Sequence, residues 1–422
     1  MNKHSQQAEI KRTVFAASLF SRDLPPGWRL STMDEALSGT EYGLSEPGDS
    51  SGDTPIVGMR DLVDGIVNLK DLATVSSDGA DWQSLRLRVG DILLNRTNSP
   101  DLVGKVGIVR EDSDAVFASY LVRLHVDHNR ADPEYVAFWL NSDVAQRALK
   151  RLSTRAVSQA NINPTEFRKH CPIALGPLSE QRRIAEILRA WDEAIEKLSA
   201  LRAANELRYK ALARRFFDPC HPTFAGRPNS WREFELGDVF VERSQNGEDS
   251  DRLLSITMNG GIIDRDDVGR KDTSTADKSK YKLILPGDIG YNTMRMWQGV
   301  AGLSELRGII SPAYTVVTPI ADRILDRYGA HLFKSRRMVF DFERYSQGLT
   351  SDTWQLKFPS FSKIKVFLPP VEDQAKEANL LDCLVREGAV IGMQLEALTR
   401  QKRGLMQKLL TGEWPVQIEK DI

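Results

Sequence analysis

The chain has 422 residues, is 41% hydrophobic and 27% charged, and carries a net charge of −1. That length allows two or three domains with ample cores, and the composition is that of an ordinary soluble protein. No apolar run approaches the roughly 20 residues of a membrane span, and the near-zero charge excludes a surface uniformly coated for nucleic acid.

Residues 1–24 form a polar N-terminal arm; the apolar run Val14 to Phe20 has no small-residue cleavage site after it, so no secretion is expected. Cys171, Cys220 and Cys383 are odd in number and far apart, which fits a reducing cytoplasm. His170 beside Cys171 and His221 beside Cys220 lack the paired spacing of zinc sites, so no metal is expected.

Residues 25–176 read as a strand-rich globule. It opens on Pro26-Gly27-Trp28-Arg29-Leu30 and passes through an acidic stretch, Asp34 to Asp64, whose only base is Arg60. The turn Val89-Gly90-Asp91 leads into the apolar strand Ile92 to Asn95. A Gly-spaced loop, a strand at Ser119 to Val122, an amphipathic helix from Tyr135 to Lys150 and a polar loop from Ser153 to Asn163 follow. Pro172 to Leu175 closes the globule as a strand.

Residues 177–218 form a long helix opened by Pro177 and an acidic turn, as suits the positive end of a helix dipole. After the Pro-containing linker 219–228, the pattern repeats in residues 229–368. Trp231-Arg232 answers Trp28-Arg29, and Pro286-Gly287-Asp288-Ile289 answers Val89-Gly90-Asp91-Ile92. Tyr328 to Phe340 reads as the second amphipathic helix, Ser346 to Gln355 as the second polar loop, and Val366 to Leu368 as the closing strand. A second long helix occupies 369–412, and 413–422 is a tail. The chain is therefore an internal duplication with a period of roughly 193 to 203 residues.

Both long helices carry a narrow apolar seam at steps of three and four, as in a coiled coil. The first seam is Ile184, Leu188, Trp191, Ile195 and Leu198, and the second is Leu381, Leu384, Ile391, Leu395, Leu398 and Leu405. Gly388 and Lys402 interrupt the second seam and Asn205 falls near the first; Gly388 and Gly392 are expected to mark close approach of a neighbouring helix. Two matching helices in one chain are expected to pack on each other.

The start of the first long helix, Pro177-Leu178-Ser179-Glu180-Gln181-Arg182-Arg183-Ile184, resembles the specificity subunits of type I restriction–modification systems. So do the Gly-Asp-Ile strands, the globule–helix–globule–helix order and the length, over about Pro25 to Trp414. The second helix departs from the motif, with Ala375, Lys376 and Glu377 in place of Arg182, Arg183 and Ile184. The resemblance implies an α+β fold with two duplicated target-recognition domains and an antiparallel coiled-coil spacer. It also implies double-stranded DNA as ligand, two modification methyltransferase subunits as partners, and restriction/translocase subunits joined through the complex. S-adenosylmethionine, ATP and Mg²⁺ are then expected on those partners, with no cofactor on this chain.

The residues support the same reading. In the major groove Arg pairs bidentately with guanine, and Asn or Gln with adenine. The first half offers Arg96, Thr97, Asn98, Lys105, Arg155, Gln159 and Asn161 for DNA contact. The second offers Asn292, Arg295, Trp297, Gln298, Thr350, Ser351, Thr353 and Gln355. Each long helix is preceded by a basic stretch, Asp143 to Arg183 and Lys334 to Lys365, suited to holding phosphates. No Gly-x-Gly-x-x-Gly or phosphate loop occurs, and Asn163-Pro164-Thr165-Glu166 lacks the second proline and aromatic of a DNA-methyltransferase box. A non-catalytic chain is expected. The alternatives are a nuclease with an unrecognised metal site and a protein-binding scaffold.

Overall fold

The structure, a computed structural model, describes residues 24–45, 52–76, 82–155, 159–218, 230–248, 250–258, 261–268, 277–350 and 353–417. The arm up to residue 23 and the linker at 219–228 lie outside these residues. The chain divides into two compact units, Met1–Lys197 with Gln394–Ile422, and Leu198–Met393. Each holds one strand-rich domain and parts of both long helices.

In unit 1 the opening strand Arg29–Thr32 pairs antiparallel with the closing strand Pro172–Leu175, Arg29 opposite Leu175. The central sheet has six strands, in the order Leu37–Tyr42, Leu121–Val126, Ile92–Asn95, Val106–Ile108, Ile66–Val67 and Leu62–Val63. Alternation along its strands sends Ile92, Leu94, Val122 and Leu124 to the main core and Leu93 and Leu121 to a second one with Val57 and Phe117. Unit 2 repeats the closure: Arg232–Glu235 pairs with Lys365–Leu368, Arg232 opposite Leu368. Its central sheet has four strands, in the order Phe240–Glu242, Tyr314–Pro319, Ile289–Asn292 and Ala301–Leu303.

The amphipathic stretches expected as single helices are each two. Tyr135 to Lys150 falls in α1 (Pro133–Leu140) and α2 (Asp143–Leu152). α3 is the first long helix, Leu178–Phe217. Tyr328 to Phe340 falls in α4 (Asp326–Lys334) and α5 (Arg336–Tyr345). Ser142 and Ser335 cause the breaks: each hydroxyl accepts from an amide three residues on, of Ala145 and Met338 (both 3.3 Å), and so starts a new helix. The second long helix is α6, Val371–Leu410.

The repeated Gly-Asp turns are structural. Gly90 and Gly287 both sit at φ 90°, a conformation that glycine reaches without steric cost. The aspartate then closes the turn, Asp91 accepting from the Arg88 amide (2.9 Å) and Asp288 from the Leu285 amide (2.8 Å). Each also holds an arginine, supplied from different places in the two units. Arg123, on the strand beside the turn, reaches Asp91 (3.0 Å) and Glu41. Arg243, just past Phe240–Glu242, grips Asp288 with two bonds of 2.7 and 3.0 Å.

The glutamine of each long-helix start is wholly buried and serves as a pin. Gln181 donates to the carbonyls of Arg130 (3.1 Å) and Gly176 (2.8 Å) and accepts from the Asp132 amide (3.1 Å). Gln374 donates to those of Arg323 (2.8 Å) and Pro369 (2.9 Å) and accepts from the Leu325 amide (3.0 Å). Both N–H groups and the oxygen of the amide are thus bonded, so each long helix is fixed to the N-terminus of α1 or α4.

Within each unit the long helices run antiparallel. In unit 1, Ile184 and Leu188 of α3 share a core with Leu409 and Leu410 of α6, and Asp192 meets Lys402. In unit 2, Phe216 and Phe217 share one with Ala378 and Leu381, and Asn205 donates to Glu387 (2.7 Å). Of the seam residues, Ile184, Leu188, Leu381, Leu384 and Ile391 are buried, while Trp191, Ile195, Leu198, Leu395, Leu398 and Leu405 are half-buried. A Cβ at Gly388 would lie 3.2 Å from Asn205 Oδ1, a close approach; one at Gly392 meets nothing within 4 Å, so the expectation fails there. Among the described residues no helix is long and apolar enough to cross a membrane.

Candidate nucleic-acid interface

In each unit the two polar loops, distant in sequence, come together. In unit 1 the short strand Thr97–Asn98 pairs antiparallel with Ala160–Asn161, which pairs in turn with Thr154–Arg155. The Ile162 amide donates to the Arg96 carbonyl (2.8 Å). In unit 2 the Leu356 amide donates to the Thr293 carbonyl (2.8 Å), and Trp354 packs edge-on against Trp297 at 5.5 Å. Gln347 and Gln355 exchange two backbone bonds (3.0 and 2.9 Å) at the neck of the second loop.

The candidate residues divide by what they already hold. Arg96 spans the base of the loop pair, its guanidinium donating to the Ser119 carbonyl (3.3 Å) and to Asn161 Oδ1 (3.5 Å) and lying over the Tyr42 ring. Asn161 is thereby engaged too, and Thr97 is buried. Asn98 accepts from the Ser99 amide (2.7 Å) and Gln159 is exposed. Lys105 lies elsewhere, exposed on the wall of a cleft of about 880 Å³ bounded by α1, α2 and the helix pair. The side chain of Arg155 and all of Ser351 lie outside the described residues.

In unit 2, Asn292 accepts from the Met294 amide (3.0 Å), which shapes a turn that leaves Arg295 exposed. Trp297 donates to the Met294 carbonyl (3.0 Å) and, like Gln298 and Gln355, is half-buried. Thr350 is exposed and accepts from Thr353 Oγ1 (2.9 Å) through its carbonyl. The sequence reading passed over Trp354, Tyr42 and the exposed Tyr120; a tryptophan in the polar run Ser346 to Gln355 was the available signal.

Part of each basic stretch is already committed. Arg168 pairs with Asp34 (2.9 Å), Arg337 with Asp341 (2.8 Å) and Lys365 with Glu233 (2.7 Å), while Lys334 donates to the carbonyls of Met258 (3.1 Å) and Gly299 (2.9 Å). Arg147, Lys150, Arg336, Lys357 and Lys363 remain exposed. Such cations can neutralise phosphates, and Arg147 and Lys150 line the same cleft as Lys105. Among the described residues no three His, Cys, Asp or Glu are grouped to hold a metal. Cys171 is buried, and His170 faces Glu166 (3.1 Å) instead.

This fold has counterparts among solved structures. The chain is similar to a type I restriction–modification S subunit from M. genitalium, at a TM-score of 0.61 and 15% identity, covering 94% of this chain and 98% of that one. It is also similar to a chain from a study of type I complex assembly and conformational transition, at 0.52 and 19%, covering 93% and 100%. Residues 45–205 match the family model for the type I restriction modification DNA specificity domain. A putative type I restriction enzyme specificity subunit, MjaX, of Methanocaldococcus jannaschii is 28% identical over 421 residues, covering 93% of this chain and 94% of that one. The EcoBI specificity subunit of Escherichia coli is 28% identical over 203 residues, covering 46% and 42%. Over nearly its whole length the chain is thus similar to type I specificity subunits.

Proposed function

We propose that the chain is the sequence-recognition subunit of a type I restriction–modification complex, binding a bipartite target in double-stranded DNA. Each unit reads one block, and the bases between the blocks are not read. The observation that carries this is the pairing of two polar loops at one place in each duplicated domain. Loops braced in this way present hydrogen-bonding side chains in a fixed geometry, as direct readout of base edges requires. The exposed cations of the basic stretches hold phosphates, which position the protein without reading sequence.

The chain performs no chemistry of its own in this proposal. Two modification methyltransferase subunits bind it and carry S-adenosylmethionine, and restriction/translocase subunits join through the complex with ATP and Mg²⁺. Its contribution to methylation is to place the target adjacent to those subunits. The test is to sequence methylated bases in cells with and without the gene for this chain. A split motif should be modified only when the chain is present. A motif that persists without it, or a continuous motif, overturns the proposal.

A further inference from the structure

We propose that Leu349 is a wedge that enters a base step of the bound duplex and kinks it, an inference that rests on the DNA-recognition reading above. Leu349 is 101% exposed, beside the neck formed by Gln347 and Gln355. A leucine exposed singly on a surface is ordinary. This one sits on a loop whose described residues are braced on both sides of it. At Gly348 φ is 153°, and a Cβ there would lie 2.6 Å from the Thr353 carbonyl oxygen, so only glycine fits. The Thr353 amide donates to the Thr350 carbonyl (2.9 Å), and the Thr350 amide to Thr353 Oγ1 (3.1 Å). Trp354 then locks the loop against Trp297 of the other reading loop.

The side chain thus projects from a loop that is braced against a second loop carrying groups suited to DNA. Arg295 and Gln298 stand on the partner loop, and α5 lies against the same turn, Val339 being 3.1 Å from where a Cβ on Gly299 would sit. α5 also carries an exposed Phe340 flanked by the guanidinium groups of Arg337 and Arg344. A leucine so fully exposed gains nothing from burial in the free protein. An unstacked base step supplies that burial, because both of its faces are apolar and its edges remain available to the neighbouring hydrogen-bonding groups. Pyrimidine–purine steps unstack at least cost, so the block read by unit 2 should contain one.

The experiment uses the full chain and a duplex bearing the methylated motif, intact or nicked at each step of that block. On intact DNA, Leu349→Ala should lose affinity by roughly tenfold and reduce the bend measured by gel phasing. A nick at the wedged step should restore wild-type affinity, because breaking the backbone there lowers the cost of opening and bending the step that the leucine otherwise opens. Leu349→Met should retain both binding and bend. Because Leu349 is fully exposed, these variants leave the fold intact. Wild-type binding and bending by Leu349→Ala would overturn the wedge. So would an equal loss on nicked DNA, or a loss reproduced by replacing thymine with uracil, which marks a methyl contact instead. If the wild-type chain bound no DNA, the recognition reading would fall and the wedge with it.

Discussion

Gln181 and Gln374 show how much of this fold hangs on single buried amides. Each joins the start of a long helix to the loop before α1 or α4 through three hydrogen bonds. Replacing either with leucine leaves two carbonyls and an amide buried and unpaired, at about 1–3 kcal/mol for each group that water cannot reach. Gln181→Leu and Gln374→Leu should therefore each lower the stability measured by urea unfolding by at least about 2 kcal/mol; a neutral result would mean that the glutamine is not a pin. His331 is a second case. Its Nε2 faces Asp382 (2.8 Å), its Nδ1 faces the Tyr209 hydroxyl (3.0 Å), and Arg327 reaches the same aspartate (2.5 Å). Burial lowers the histidine below its ordinary value despite Asp382, and burial with help from Asp382 pushes the tyrosine up to about 12. The unfolded chain therefore takes up a proton near pH 6.5 that the folded chain refuses. Stability is full above that pH and falls as the pH drops from it toward the lowered value. Unit 1 has Phe138 at the matching position, so His331→Phe should flatten the dependence of the urea midpoint between pH 7.5 and 5.5. An unchanged slope would exclude His331 as its source.

At the scale of elements, the informative unit is the loop pair. Arg295 stands clear of the protein while Arg96 is occupied by Ser119, Asn161 and Tyr42, so the two arginines differ in what they can still bind. Replacing Arg295 and Gln298 with alanine should relax or change the block read by unit 2 and leave the other block intact. Each lost bidentate contact should reduce discrimination by about 1–3 kcal/mol. Methylation sequencing of the double variant checks this, and a change in both blocks would show that the units do not read separately. Replacing Arg96 should act differently, loosening the joint between Thr97–Asn98 and Ala160–Asn161 and weakening binding overall.

At the scale of the whole molecule, the duplication gives each domain the start of its own long helix and the end of the other. Each helix has 40 residues, about 60 Å at 1.5 Å per residue. In the proposed function these helices set the gap between the two blocks. Deleting four residues from the matching middles of α3 and α6 removes about one turn, near 6 Å, and keeps the seams roughly in phase. The gap in the methylated motif should then shorten by about one or two base pairs while both blocks keep their bases. An unchanged gap in an active complex would show that the helices are not the ruler.

The sequence alone determined the elements whose causes are local. Helix seams at steps of three and four, glycines at the turns before Asp91 and Asp288, and the repeated Trp-Arg and Pro-containing starts all express short-range physics. They defined the duplication and the helix pair. Where the cause was long-range, pattern reading stopped short. The pairing of Arg96 with Asn161 spans 65 residues, and nothing in either segment announces it. The serine caps that split the amphipathic stretches were visible, yet apolar periodicity continued through them and hid the breaks. The same Gly-Asp turn draws its arginine from one strand in unit 1 and from beyond another in unit 2, because the interior requires a cation at that point in space and any strand passing there can supply it. Which polar side chains the protein itself consumes, and which it leaves exposed, was decided by tertiary structure, because a hydrogen bond depends on distance and angle and a loop's sequence specifies neither.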